Sequence, residues 1–166
     1  GGYEQDCKAM CDFEIDRNLF PKVGSRDMVI SLGLNRWQKM GHNLIVVYPY
    51  PEMGWNVPQK IRRELSRFPM FTWATKYKDI VVSTSYQLFK QRTASSYSAL
   101  DRLPDNGQTF RVKPEEWICS ANTDRCSAND ADGIYYSDDN HPSTVGSIKI
   151  VDRIEEIIRD QIIQEP

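Results

Sequence analysis

The chain has 166 residues, of which 40% are hydrophobic and 27% are charged, and its formal net charge is −2. This composition is close to that of an average globular protein, which argues against intrinsic disorder and against a membrane-embedded chain, whose spans need about 20 consecutive apolar residues. The lack of a strong positive charge disfavours nucleic acid as a partner.

Three short apolar runs, residues 27–33, 44–49 and 79–84, predict the strands of one sheet. Each run is uninterrupted rather than alternating, which is typical of parallel strands covered by helices on both faces, so the sequence predicts an α/β fold. The connection between the first two runs is unexpectedly short for a parallel crossover. Because no linker or repeat divides the chain, we interpret residues 1–166 as one domain.

Two helices are predicted around the third run. Asn56 and Pro58 have the residue types that begin a helix, and the residues that follow at helical spacing are Ile61, Leu65 and Phe68. The second helix covers residues 85–103 and is stopped by the turn sequence at residues 104–107.

A final helix is predicted over residues 144–164. Its apolar residues lie on one stripe opposite charged residues, and they are Ile148, Val151, Ile154, Ile158 and Ile162. Packing against the sheet is sufficient to explain this stripe, and the oligomeric state stays open.

Four cysteines fall in two local pairs, Cys7 with Cys11 and Cys119 with Cys126. Such pairs suit either short disulfide loops or half-sites for a metal ion. A zinc site needs tighter spacing or nearby histidines, and the chain has only two histidines, so a disulfide is favoured for Cys119 with Cys126. Cys7 and Cys11 are four residues apart, a spacing on a helix that also suits free thiols, so their pairing stays open. Disulfides would place the domain in an oxidising compartment.

Asp138 precedes His141 by three residues, just before the final helix. A carboxylate can fix the tautomer of an imidazole that acts as general base for a hydroxyl nucleophile. The same residues also suit a surface turn and a helix cap. Together with Asp139 they could be read as a metal site, but a second histidine is lacking, so we expect no metal.

The Asp-x-x-His pattern before a final helix is similar to the last block of SGNH hydrolases. Three further stretches resemble the C-terminal domains of bacterial membrane O-acyltransferases. They are residues 48–58, Ser83-Thr84 followed by Arg92, and residues 117–126. The family's usual His-Leu-Ser is replaced here by His141-Pro142-Ser143, and proline is compatible with the first turn of a helix.

This resemblance implies a three-layer SGNH-hydrolase (flavodoxin-like) fold with a central parallel sheet. It implies a periplasmic domain of an inner-membrane protein that O-acylates a cell-surface glycan, such as lipopolysaccharide O-antigen, by a Ser-His-Asp mechanism without a cofactor. An attached transmembrane acyltransferase domain would deliver the acyl donor, and Cys119 and Cys126 would form a disulfide. A non-catalytic glycan-binding module and a carbohydrate acetylesterase are the alternatives.

The first predicted strand is followed by Gly33 and Asn35, which resemble the Gly-x-Asn block of SGNH proteins. The resemblance implies that the asparagine amide helps bind the oxyanion, although asparagine after glycine is also a common turn pair. Trp55 is the tryptophan that we expect at the rim of the site, since aromatic rings stack on sugars, whereas core packing is expected for most of the tryptophans. His42 is expected on a surface loop.

The nucleophile is the main departure from the family, because the chain has no Gly-Asp-Ser block. The most similar residues are Gly24 and Ser25, but Ser25 precedes the first predicted strand instead of following it. Ser25 is therefore not expected to be the nucleophile. Three explanations stay open: the serine lies before this sequence, residues are missing from the sequence as written, or the domain has lost catalysis.

Overall fold

The computed structural model of the chain describes residues 26–163, with side-chain environments from residue 33 onward. In this part, helices and strands combine into a mixed α/β arrangement with one small parallel and one small antiparallel sheet. The α/β class is therefore confirmed, and the complete three-layer arrangement stays a prediction. Cys7, Cys11 and Ser25 lie outside the described residues.

Helix α1, Arg26–Lys39, occupies the segment predicted as the first strand, so that prediction is wrong. A short apolar run does not by itself distinguish a strand from a helix, and here tertiary contacts decide. Leu34 packs against the core, and Gln38, one turn later, is buried and donates a hydrogen bond to the Thr109 hydroxyl. The short connection after α1 is unproblematic, because it joins a helix to a strand.

Strand β1, Leu44–Val47, follows α1 and confirms the second predicted strand. It pairs in parallel with Thr109–Val112, with Leu44 opposite Thr109 and Val47 opposite Val112. These two strands form the parallel sheet of the described part. The loop after β1 and the segment after its partner strand leave the sheet at the same edge.

Helix α2, Val57–Leu65, confirms the first predicted helix. The side chain of Asn56 accepts a hydrogen bond from the backbone N–H of Gln59 at 2.9 Å, and Val57, Ile61 and Leu65 are buried. The helix ends at Leu65, so Phe68 does not continue its apolar face and is exposed. The short helix α3, Trp73–Lys76, follows between two 3-10 turns, Met70–Thr72 and Tyr77–Asp79.

The third predicted strand is wrong in extent and in pairing. Strand β2 covers only Ser83–Ser85 and pairs antiparallel with Arg125–Ser127, not with the parallel sheet. The apolar residues before β2 are bound partly by backbone and partly by the Asn129 side chain. Ala128 N donates to the Val82 carbonyl at 2.7 Å, and Asn129 accepts from Val82 N at 3.0 Å and donates to the Ile80 carbonyl at 2.6 Å. Such an amide satisfies the backbone without extending the sheet.

Helix α4, Tyr86–Asp101, confirms the second predicted helix and is capped by Ser85, whose hydroxyl accepts from Leu88 N at 3.2 Å. Strand β3, Thr109–Val112, follows and is the parallel partner of β1. The remaining short elements are α5, Glu115–Ile118; β4, Cys119–Ser120; and β5, Arg125–Ser127. Cys119 and Cys126 are directly paired across β4 and β5 and form the implied disulfide.

Helix α6, Thr144–Ile157, continues as a π-helical turn over Ile158–Ile162 and confirms the final helix. Packing explains the predicted stripe only in part, because Ile154, Ile158 and Ile162 are half-buried whereas Ile148 is 52% exposed and Val151 is 48% exposed. Ile157, which is buried, is not a member of that stripe. The apolar face of α6 is therefore not fully covered by the described residues.

Candidate active site

Asp138 and His141 lie together on a turn directly before α6. Nδ1 of His141 is 2.7 Å from Oδ2 of Asp138, and Oδ1 of Asp138 accepts from the backbone N–H of His141 at 2.8 Å and of Asn140 at 3.0 Å. One carboxylate thus holds both the ring and the main chain of the histidine. The structure brings the two predicted residues together, and their catalytic role stays a prediction.

The surroundings of Asp138 keep its carboxyl ionised. The backbone N–H of His141, the backbone N–H of Asn140 and the imidazole, in that order of effect, lower the pKa of Asp138 to about 2. An ionised carboxylate beside Nδ1 favours the tautomer with the proton on that nitrogen, which leaves Nε2 free to accept a proton. The His141 side chain is 72% exposed, so a substrate can reach the ring.

The loop after β1 holds this turn by two backbone hydrogen bonds. Met53 N donates to the Asp139 carbonyl at 2.8 Å, and Val57 N, at the start of α2, donates to the Asp138 carbonyl at 2.9 Å. The turn is closed internally by Ser137 N, which donates to the His141 carbonyl at 2.9 Å. The dyad therefore lies against the loop at the carboxyl end of a parallel strand, where α/β folds commonly place their sites.

Two tyrosines, Tyr136, which is buried, and Tyr50, which is half-buried, fix the two loops to each other. Tyr136 is buried and donates its hydroxyl to the Pro51 carbonyl at 2.7 Å, while the Tyr50 hydroxyl donates to the Tyr135 carbonyl at 3.3 Å. Burial raises the pKa of both Tyr50 and Tyr136, so they remain neutral donors at neutral pH. Neither tyrosine was predicted from the sequence as a positioning residue, although Tyr50 lies within residues 48–58 and Tyr136 lies two residues before Asp138.

Helix α6 packs closely against the segment that leads into the dyad. The Ser143 hydroxyl donates to the Ile134 carbonyl and accepts from Gly146 N at 3.2 Å, which caps the helix. A Cβ atom on Gly146 would lie 2.3 Å from the Tyr135 carbonyl oxygen and 2.7 Å from the Tyr50 hydroxyl. Glycine is therefore required here by close approach, and the helix N-terminus is held next to His141.

Trp55 lies beside the dyad turn and lines an open groove of about 490 Å³. It is half-buried and packs partly against the main core. Since Trp55 is two residues before Val57, it is within roughly 7 Å of chain from the residue that binds the Asp138 carbonyl. Charged and hydroxyl side chains make up part of the remaining lining, among them Lys60, Glu64, Arg67, Asp79, Ser83 and Arg125, and neither Asp138 nor His141 lines the groove. The rim role of Trp55 stays a prediction.

Gly33 and Asn35 lie inside α1, not at the end of a strand. The predicted position of these residues at the end of a strand is therefore wrong. Their oxyanion role was predicted from that position and stays a prediction. His42 is exposed and its ring lies 5.3 Å from the ring of Trp37, which agrees with the predicted surface position.

Within the described residues, no group of three or more histidine, cysteine, aspartate or glutamate side chains is arranged to hold a metal ion. No helix between residues 26 and 163 combines the length and the apolar character that a membrane span requires.

A family model described as "SGNH domain (fused to AT3 domains)" matches residues 25–156. A search of curated proteins and a search of solved structures each found no match. The matched range includes the dyad turn, the loop that binds it and the disulfide.

Proposed function

Because the chain belongs to the family of SGNH domains fused to AT3 domains, we propose that it is the extracytoplasmic acyl-transfer domain of a membrane O-acyltransferase. Family membership supports an esterase-like or acyltransferase role. The finer proposal is transfer of an acyl group, expected to be acetyl, to hydroxyls of a cell-surface glycan. The observation that carries it is the Asp138–His141 pair, whose ring contact of 2.7 Å has the form needed for base catalysis.

In this mechanism, His141 accepts the hydroxyl proton of a serine through Nε2 while the serine oxygen bonds to the acyl carbonyl carbon. This attack forms a tetrahedral intermediate. When it collapses, the bond between the acyl carbon and the donor group breaks, the donor group takes the proton from His141, and the acyl group stays on the serine. A glycan hydroxyl then attacks the carbonyl carbon of the acyl-serine and loses its proton to His141. The bond to the serine oxygen breaks, and the serine takes that proton from His141. Asp138 stabilises the imidazolium at each step. We propose that this serine lies outside residues 26–163.

The groove beside Trp55 is the proposed acceptor site. An indole ring offers a flat apolar face to a sugar, and the charged and hydroxyl side chains that line the groove can hydrogen-bond to sugar hydroxyls. No residue of the dyad turn lines the groove, but Trp55 belongs to the loop that binds this turn, so we expect a glycan in the groove to extend toward His141. The acyl donor would arrive from the attached transmembrane domain.

The decisive experiment compares His141→Ala with His42→Ala in the full-length protein, including its AT3 domains. His42 is the only other histidine in this chain and is exposed away from the dyad, so it is a matched control. Acylation of the cell-surface glycan is measured by mass spectrometry in cells that express equal amounts of each protein. We expect loss of acylation with His141→Ala and no change with His42→Ala.

A serine-reactive fluorophosphonate separates the remaining alternatives. Labelling of one serine that disappears with His141→Ala supports the Ser-His-Asp mechanism. Full acylation with His141→Ala would contradict it and favour a glycan-binding module. Release of acyl groups from pre-acylated glycan, without transfer, would identify an acetylesterase that uses the same dyad.

A further inference from the structure

The segment of residues 67–78, which we call the basic turn, carries the two most exposed large hydrophobic side chains of the described part. Phe71 is 89% exposed and Met70 is 77% exposed. Neither contributes to either core cluster. Adjacent exposed aromatic and aliphatic side chains with no role in the fold indicate an interaction surface.

The backbone under these two side chains is well ordered by local hydrogen bonds. Thr72 donates to the Pro69 carbonyl twice, from N at 2.9 Å and from Oγ1 at 2.7 Å, and the Trp73 indole N–H donates to the Phe68 carbonyl at 3.1 Å. Phe71 and Met70 are thus held outward at the apex of a compact turn. Neither side chain lines the groove beside Trp55.

The charge around this apex is strongly positive, although the whole chain has a net charge of −2. The basic turn contains Arg67, Lys76 and Lys78 and no acidic residue, and exposed Arg62 and Arg63 precede it in α2. Two of these cations pair with flanking carboxylates: Arg67 with Glu64 at 2.6 Å and Lys76 with Asp79 at 3.2 Å. Residues 57–79 still contain six basic residues against two acidic ones.

We infer that the basic turn docks on the surface of an anionic lipid bilayer. Projecting apolar side chains surrounded by cations match the membrane interface, where rings and thioethers enter the acyl boundary and cations meet lipid phosphates. A sugar chain would be better held by a concave groove than by a projecting apex. The inference rests on the proposed attachment to a membrane domain, which keeps the chain beside a bilayer.

Docking would also orient the proposed acceptor site. Arg67 and Phe68 belong to the basic turn and also line the groove that begins at Trp55. With the turn on the bilayer, the groove lies at the membrane surface, where a lipid-linked glycan presents its sugars. The bilayer contact would then help to position the acceptor.

The test is sedimentation of the chain with lipid vesicles. One set contains equal parts of phosphatidylglycerol and phosphatidylethanolamine, and the other contains phosphatidylcholine alone. We expect the chain to bind the anionic vesicles, with weaker binding at high salt. Phe71→Ala should lower the partition coefficient about tenfold, because the aromatic ring that enters the bilayer is lost.

Matched variants control for exposure and charge. Ile148→Ala removes an exposed apolar side chain from α6 and should leave binding unchanged. Lys78→Gln should weaken binding about fivefold, as expected for one lysine at an anionic surface, while Lys39→Gln, on α1, should not. Unchanged urea midpoints check that all four variants fold.

Three results would overturn the inference. They are absence of binding to anionic vesicles, equal effects of Phe71→Ala and Ile148→Ala, and self-association of the chain that Phe71→Ala abolishes while vesicle binding is absent. None of them depends on acyl transfer, so this inference and the proposed function can fail separately.

Discussion

A single carboxylate, that of Asp138, binds His141 twice: Oδ1 accepts the backbone N–H at 2.8 Å and Oδ2 contacts ring Nδ1 at 2.7 Å. The three-residue spacing makes this geometry possible, because a tight turn brings the main chain of His141 back to the side chain of Asp138. The turn is then held from outside by Met53 and Val57. The orientation of the imidazole is therefore fixed by the fold, although the ring is exposed.

Asp138→Asn should reduce acyl transfer by about 10³–10⁴-fold, because an amide can still accept the backbone N–H groups but no longer stabilises an imidazolium. The measurement is the rate of glycan acylation by the full-length protein. Asp139→Asn, one residue later, is the control and should have little effect. A similar loss with both variants would contradict the assigned role of Asp138.

The pKa of Asp138 should remain low even without the imidazole. Its native pKa of about 2 is below the ordinary value of about 3.9, so the stability that its hydrogen bonds contribute is present above pH 4 and is lost as pH falls through about 2. Since the largest cause is the backbone N–H of residue 141, His141→Ala should leave the pKa below the ordinary value. A carbon-13 NMR titration of the Asp138 carboxyl measures this directly. A return to the ordinary value would mean that the ring is the main cause.

Gly146→Ala should destabilise the domain by about 1–3 kcal/mol, because the added Cβ overlaps the Tyr135 carbonyl and forces α6 away from it. The free energy of unfolding from urea titration is the measurement, and acylation should fall as well, since α6 adjoins the dyad.

Gly33→Ala is the matched control for that substitution. No atom lies within 4 Å of a Cβ placed on Gly33, which is inside α1, so alanine should stabilise the chain by about 0.5–1 kcal/mol. Destabilisation by Gly33→Ala would contradict the helical assignment of this segment and would restore the predicted strand end.

Replacement of Cys119 and Cys126 by serine should lower the free energy of unfolding by about 2–3 kcal/mol, the value expected for a short disulfide loop. Urea titration with and without a reducing agent measures the effect. The reducing agent should destabilise the native chain by a similar amount and leave the serine variant unchanged. If the reductant affected both equally, its target would lie elsewhere.

Much of the local structure was predictable from residue types. Helices α2, α4 and α6 begin where Asn56, Ser85 and Ser143 supply a side-chain acceptor, and such caps act over three residues of chain. The Asp-x-x-His spacing likewise predicted that the two side chains meet, because a turn is a local structure. The disulfide follows the same rule, since its cysteines are seven residues apart.

What the sequence could not determine were the features that depend on distant partners. Residues 27–33 and 79–84 are apolar runs whose conformation the pattern alone did not determine. Thr109 binds Gln38 of α1, and Asn129 binds Ile80 and Val82, so both segments make contacts with residues far away in the chain. The support of the dyad by Met53 and Val57 also joins residues about 80 positions apart. The sequence by itself therefore determined the helix caps, the dyad turn and the disulfide, whose partners are neighbours in the chain. Only the tertiary structure decided which apolar runs became strands and which loop holds the dyad, because those free energies come from contacts that form when the whole chain packs.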